Sequence, residues 1–171
     1  MSFTIHQASV GVFARALGNL SAILKKAEAY AEAKGVDPAV VLGSRLALDM
    51  LPLSRQIQIA CDAAKRSAAR LAAVEPPSHP DTETSFAEFQ ARIATTIAYL
   101  DTLKPEQFEG AETRDITIQL RAGPTVFKGQ PYLLHYAMPN FYFHTTTAYA
   151  ILRHNGIEIG KPDFIHELIT A

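Results

Sequence analysis

A single cysteine, Cys61, stands in the 171 residues. One cysteine excludes an intramolecular disulfide and a multi-cysteine zinc site, and it fits a reducing compartment, so the cytoplasm is the expected location. Charge of one sign is lacking too. Sixteen Lys and Arg against seventeen Asp and Glu leave a formal net charge of -1, which gives no electrostatic case for nucleic acid or an anionic membrane as partner. No apolar run approaches the length of a membrane span, and Asn, His, Arg and Pro interrupt the most apolar stretch. The opening Met-Ser-Phe-Thr carries no signal-peptide pattern. Familiar catalytic signatures are missing as well: no Gly-rich phosphate loop, dinucleotide fingerprint, Gly-x-Ser-x-Gly elbow, His-Glu-x-x-His helix or Glu-x-x-His pair.

What is present is helical periodicity, in a chain long enough to bury a core as a single domain over residues 1–171. Thr4 with Gln7 reads as a capping box. Phe13, Leu17, Leu20, Leu24, Ala27 and Ala31 then form one apolar seam that Gly35 ends. Asp37-Pro38 starts a second helix whose seam runs through Leu46, Met50, Leu53, Ile57, Ala60, Ala64 and Leu71. Pro52 falls inside that run and predicts a kink near Leu48. Asp49 and Gln56 share one side beside the kink, where they either look into the bundle interior or solvate the backbone and pair with Arg45 and Arg55. After the rigid connection Glu75–Pro80, Ser85 and Glu88 open a third helix carrying Phe86, Phe89, Ile93, Ile97, Leu100 and Leu103.

Alternation of Ile116, Ile118 and Leu120 with Thr117 and Gln119 has the period of a strand. Ala122-Gly123-Pro124 turns the chain, and Thr125-Val126-Phe127 returns it as a partner. A lone hairpin is marginal in water, so it should pack on the bundle or on a second subunit. Gly129 to Gly156 reads as the last long helix, and the tail with Phe164, Ile165 and Leu168 as a segment wrapping the bundle. The fold class expected is all-α: a four-helix bundle with a small β-hairpin inserted before its last member.

Chemistry concentrates on that last helix. Tyr136, Asn140 and His144 are spaced by four and Thr147 follows by three, so one face presents all four. Pro139 cannot donate a backbone hydrogen bond and clashes with the His135 carbonyl, so a kinked wall with a small pocket is expected there. His144 then has three readings: metal ligand, acid–base group, or partner in a buried hydrogen bond. Cys61 reads as a buried structural cysteine rather than a nucleophile. Phe141-Tyr142-Phe143 spreads aromatics around the helix, which suits a core lining and hints at a subunit contact.

Several runs resemble one bacterial family, a domain of unknown function designated DUF1993. They are Leu133-Leu134-His135, Pro139 through His144, and Tyr149 through Gly156, with Asp49-Met50, Pro52-Leu53, Gln56 and the opening Gln7 to Val10. That family is grouped with the DinB-like four-helix bundles, many of them metalloenzymes and often dimers. The resemblance implies a DinB-like bundle and a homodimer. It also implies a divalent metal, zinc or nickel, held by a His-x-x-x-His pair on the last helix and one histidine on the second. Here that pair falls on Asn140 and His144, and no histidine occurs between His6 and His79. His144 and Asp49 remain as tentative metal ligands, an incomplete set. The first expectation is therefore a small-molecule pocket between the second and fourth helices, lined by Asp49, Gln56, Tyr136, Asn140, His144 and Thr147. The alternatives are a metal-dependent enzyme, for which the resemblance suggests a small-thiol transferase, and a structural or interaction protein whose polar cluster specifies packing.

Overall fold

The structure is a computed structural model that describes residues 3–165. Thr4 and Gln7 exchange the capping contacts expected of them, each backbone N–H reaching the other's side chain at 3.2 Å. A π-turn over Gln7–Gly11 leads into α1 (Val12–Lys34), and every residue of the expected seam from Phe13 to Ala31 is buried. Gly35 ends α1 in the left-handed conformation at φ 63°.

The second helix departs from expectation. Asp37 caps a single short turn, α2 (Pro38–Gly43), and the chain then leaves helical geometry until α3 (Leu53–Ala72). Pro52 does not kink a helix; it precedes one. A proline inside the helix would forfeit a hydrogen bond and strike the carbonyl four residues back. Opening residues 44–52 into a loop avoids both costs, with Leu53 N–H donating to the Ser44 carbonyl at 2.9 Å and Arg45 donating to the Met50 carbonyl. Leu46 and Met50 thereby leave the seam, Leu48 is 98% exposed, and Asp49 faces solvent. From Leu53 onward the expected seam holds, with Leu53, Ile57, Ala60, Ala64 and Leu71 all buried.

α4 (Phe86–Thr102) opens on the Ser85–Glu88 capping box and buries Phe86, Phe89, Ile93 and Leu100. A 3-10 turn at Pro105–Phe108 leads to β1 (Asp115–Leu120) and β2 (Gly123–Lys128), paired antiparallel from Asp115 opposite Lys128 to Leu120 opposite Gly123. The turn is thus Arg121-Ala122, with Gly123 and Pro124 already inside the second strand. Ile116 and Ile118 are buried, so the hairpin packs on the bundle of its own chain.

The last helix runs on directly as α5 (Gly129–Tyr132), a π-turn (Leu133–Ala137) and α6 (Met138–His154). The π-turn answers Pro139: widening the helix one turn ahead of the ring relieves its conflict with the His135 carbonyl, and Met138 N–H bonds back five residues to Leu133. Gly129 is required where the hairpin joins this rod, because a Cβ there would lie 1.8 Å from the Ala111 carbonyl oxygen. Beyond it, Ile157 and Ile159 are buried and α7 (Lys161–Ile165) lies on α1, with Asn19 donating to the Phe164 carbonyl at 2.9 Å and Lys26 pairing with Asp163 at 2.6 Å. Leu168 and His166 lie outside the described residues. α1, α3, α4 and the α5–α6 rod form the four-helix bundle, with α3 against α6 and α1 against α4. Among the described residues no helix is long and apolar enough to cross a membrane.

Candidate functional site

Turning the apolar seam of α3 inward leaves a second stripe at helical spacing on its outer side: Arg55, Asp62, Arg66 and Arg70. This stripe floors a groove of about 470 Å3. Tyr136 and Asn140 from the α5–α6 rod form one wall, Ile118 and Gln119 of β1 close one end, and Asp81 from the connection before α4 stands at the other. The π-turn belongs to this geometry. Tyr136 lies within it and stacks on the buried Tyr132, with ring centroids 5.7 Å apart and planes 24° off parallel.

An ion network fixes the groove's floor. The Arg92 side chain, only 2% exposed, pairs with Asp62, Asp81 and Glu83 at 3.2, 2.9 and 2.8 Å. Asp62 also takes Lys65 at 3.1 Å and Arg66 at 2.9 Å, and Asp81 takes Arg55 at 2.6 Å. Burial alone would raise the Glu83 carboxyl, but hydrogen bonds from Arg92 and Gln58 outweigh it and hold the group below the ordinary carboxylate range. Asp81 is held down in the same way, burial being outweighed by the bond from Arg55 and the charge of Arg92. Cys61 lies behind this network, and burial pushes its thiol up to about 12. A thiol kept protonated is no nucleophile.

Gln56 and His144 meet beside the groove rather than in it. His144 Nδ1 lies 2.7 Å from Gln56 Oε1, and Gln56 Nε2 donates to the Leu51 carbonyl at 3.0 Å. That second bond fixes which end of the amide is which, so the imidazole must donate from Nδ1, leaving the lone pair on Nε2. Burial lowers the His144 pKa and favours this neutral ring.

The comparisons with known proteins agree with this architecture. Residues 5–165 match the model of a family described as Domain of unknown function (DUF1993). The chain belongs to the DUF1993 family. It is also similar to a solved structure described as a DinB family member protein from Shewanella denitrificans, at 45% sequence identity and a TM-score of 0.89, covering 94% of this chain and 91% of that one. No curated protein matches it.

Within this DUF1993 chain the residues singled out from sequence divide into groups. Tyr136 and Asn140 line the groove. Gln56 and His144 are joined to each other. Thr147 turns its hydroxyl onto the Phe143 carbonyl at 2.7 Å and borders a different, shallow apolar surface with Leu46, Tyr142 and Phe143. Asp49 lies in the exposed 44–52 loop. The groove's arginines and Gln119 are not singled out as site residues by the sequence, where Arg55 enters only as a pairing partner, since charges on an amphipathic helix ordinarily mark its solvated face; the repeat at positions 55, 62, 66 and 70 was the available signal. A divalent metal does not fit these donors. Among the described residues no three His, Cys, Asp or Glu side chains are grouped so that they could hold a metal ion, the first member of the expected His-x-x-x-His pair is Asn140, and Asp49 is not joined to His144.

Proposed function

We propose that this DUF1993 protein binds a small polar molecule in the groove between α3, the hairpin and the last helix. One observation carries the reading. Asn140 and Tyr136 line the groove with side-chain polar groups that have no hydrogen-bond partner among the described residues. Half-buried groups of that kind usually mark where a ligand or water completes the bonding. The pair Gln56–His144, by contrast, lies outside the groove and joins α3 to α6, which suits a packing role. The thiol-transferase alternative needs a third good ligand that the donor set lacks.

The test is a thermal-shift screen of small polar metabolites against the wild type and Asn140→Ala. The variant should melt like the wild type without ligand, because the Asn140 side chain makes no hydrogen bond among the described residues. Its affinity for any compound found should fall by roughly tenfold. Absence of any stabilising compound, or equal shifts in both proteins, would sink the reading.

The same proposal extends to assembly and location. Leu46, Tyr142 and Phe143 are exposed on a shallow surface of about 430 Å3 whose lining holds no charged residue. An uncharged face of Leu and aromatic side chains suits a second copy presenting the same face, so the protein is read as a homodimer. The lone cysteine fits a reducing compartment and supports the reading of a cytoplasmic location.

A further inference from the structure

Resting on the groove reading above, we infer that the ligand is a small oxyanion, a carboxylate or phosphate group, bound at Arg70. Five cations surround the groove floor (Arg55, Lys65, Arg66, Arg70 and Arg92) against three carboxylates (Asp62, Asp81 and Glu83). This local excess is opposite in sign to the whole chain's net charge of -1. All three acids are already engaged. Asp62 meets three cations, Asp81 two, and Glu83 accepts from both Arg92 and Gln58. A cationic ligand would find no free carboxylate.

Arg70 is the exception among the cations that line the groove. Arg55 and Arg66 each have an acid, whereas Arg70 has none among the described residues. Among the described residues its side chain's one hydrogen bond is to the Tyr132 hydroxyl at 3.1 Å, and that hydroxyl donates onward to Ser67 at 3.2 Å. Tyr132 is completely buried, so it holds the guanidinium in place without neutralising it. A partly buried guanidinium without a counter-charge is costly, and its fork of N–H donors matches an oxyanion. Gln119 and Asn140 add amide donors to the same groove.

The experiment uses the full chain with inorganic phosphate, succinate, and the neutral succinamide at matched ionic strength, read by side-chain 1H–15N shifts and by melting temperature. Phosphate or succinate should move the Arg70 Nε and the Gln119 and Asn140 amide signals saturably, and the tighter of the two identifies the oxyanion. Arg70→Gln should weaken that binding by roughly tenfold or more. Gln119→Ala, on the exposed strand surface, keeps the test open if Arg70→Gln fails to fold, and should weaken it a few-fold. Saturable binding of succinamide alone at these signals would overturn the oxyanion inference while leaving the groove reading standing. Anion shifts scattered over the surface, or unchanged in both variants, would also overturn the inference. No response to any probe, here and in the metabolite screen, would overturn both.

Discussion

The imidazole of His144 shows how one backbone carbonyl sets the state of a distant side chain. Leu51 orients Gln56, and Gln56 dictates which ring nitrogen carries the proton. Because burial lowers the folded-state pKa below the ordinary 6.5, the unfolded chain binds the proton more readily. Stability from this group is complete above pH 6.5 and declines as pH falls from there toward the lower folded pKa. His144→Asn keeps a donor near Nδ1 and removes the titration. Its melting temperature should therefore gain on the wild type between pH 7 and pH 5, and a constant difference across that range would refute the assignment. At this scale the sequence was partly legible. Tyr136, Asn140 and His144 stood out because polar side chains on an apolar helix need partners. Asp49 was misleading, since its placement hung on whether Pro52 bends a helix or precedes one, and the latter goes with a bond from Leu53 N–H to the distant Ser44 carbonyl.

Among the elements, α3 ends on a local conflict. Ala73 adopts the left-handed conformation at φ 55°, closing the helix with its N–H on the Ala69 and Arg70 carbonyls. Glycine takes that conformation without the Cβ penalty, though at greater entropic cost from the unfolded state. Ala73→Gly should stabilise the protein by about 0.5–1 kcal/mol, raising the melting temperature by roughly 1–4 °C on calorimetry; an unchanged or lower value would show the strain to be absorbed elsewhere. Seams, caps and the hairpin were readable because each rests on contacts a few residues apart. The π-turn at Leu133–Ala137 was read only as a kink, since Pro139 announces a conflict but not which residue will yield. The groove was hidden for another reason: it needs α3, β1 and the last helix together, and no single segment carries its shape.

For the whole molecule, the proposed homodimer turns on what covers the uncharged surface at Leu46 and Phe143. If a second copy does, Leu46→Glu with Phe143→Glu should convert a dimer to a monomer on light scattering while leaving helical content intact, because both side chains are exposed. A wild-type monomer at micromolar concentration would refute the homodimer.

The close approach of Gly129 to Ala111 has a practical side. The base of the hairpin is clamped where no extra atom fits, and its two strands are locked in register up to Leu120 and Gly123. The Arg121-Ala122 tip is exposed, two residues from Gln119 at the groove's end. A fluorescent reporter attached at position 121 would ride on a rigid arm beside the mouth of the groove, turning occupancy into an optical signal without touching its floor.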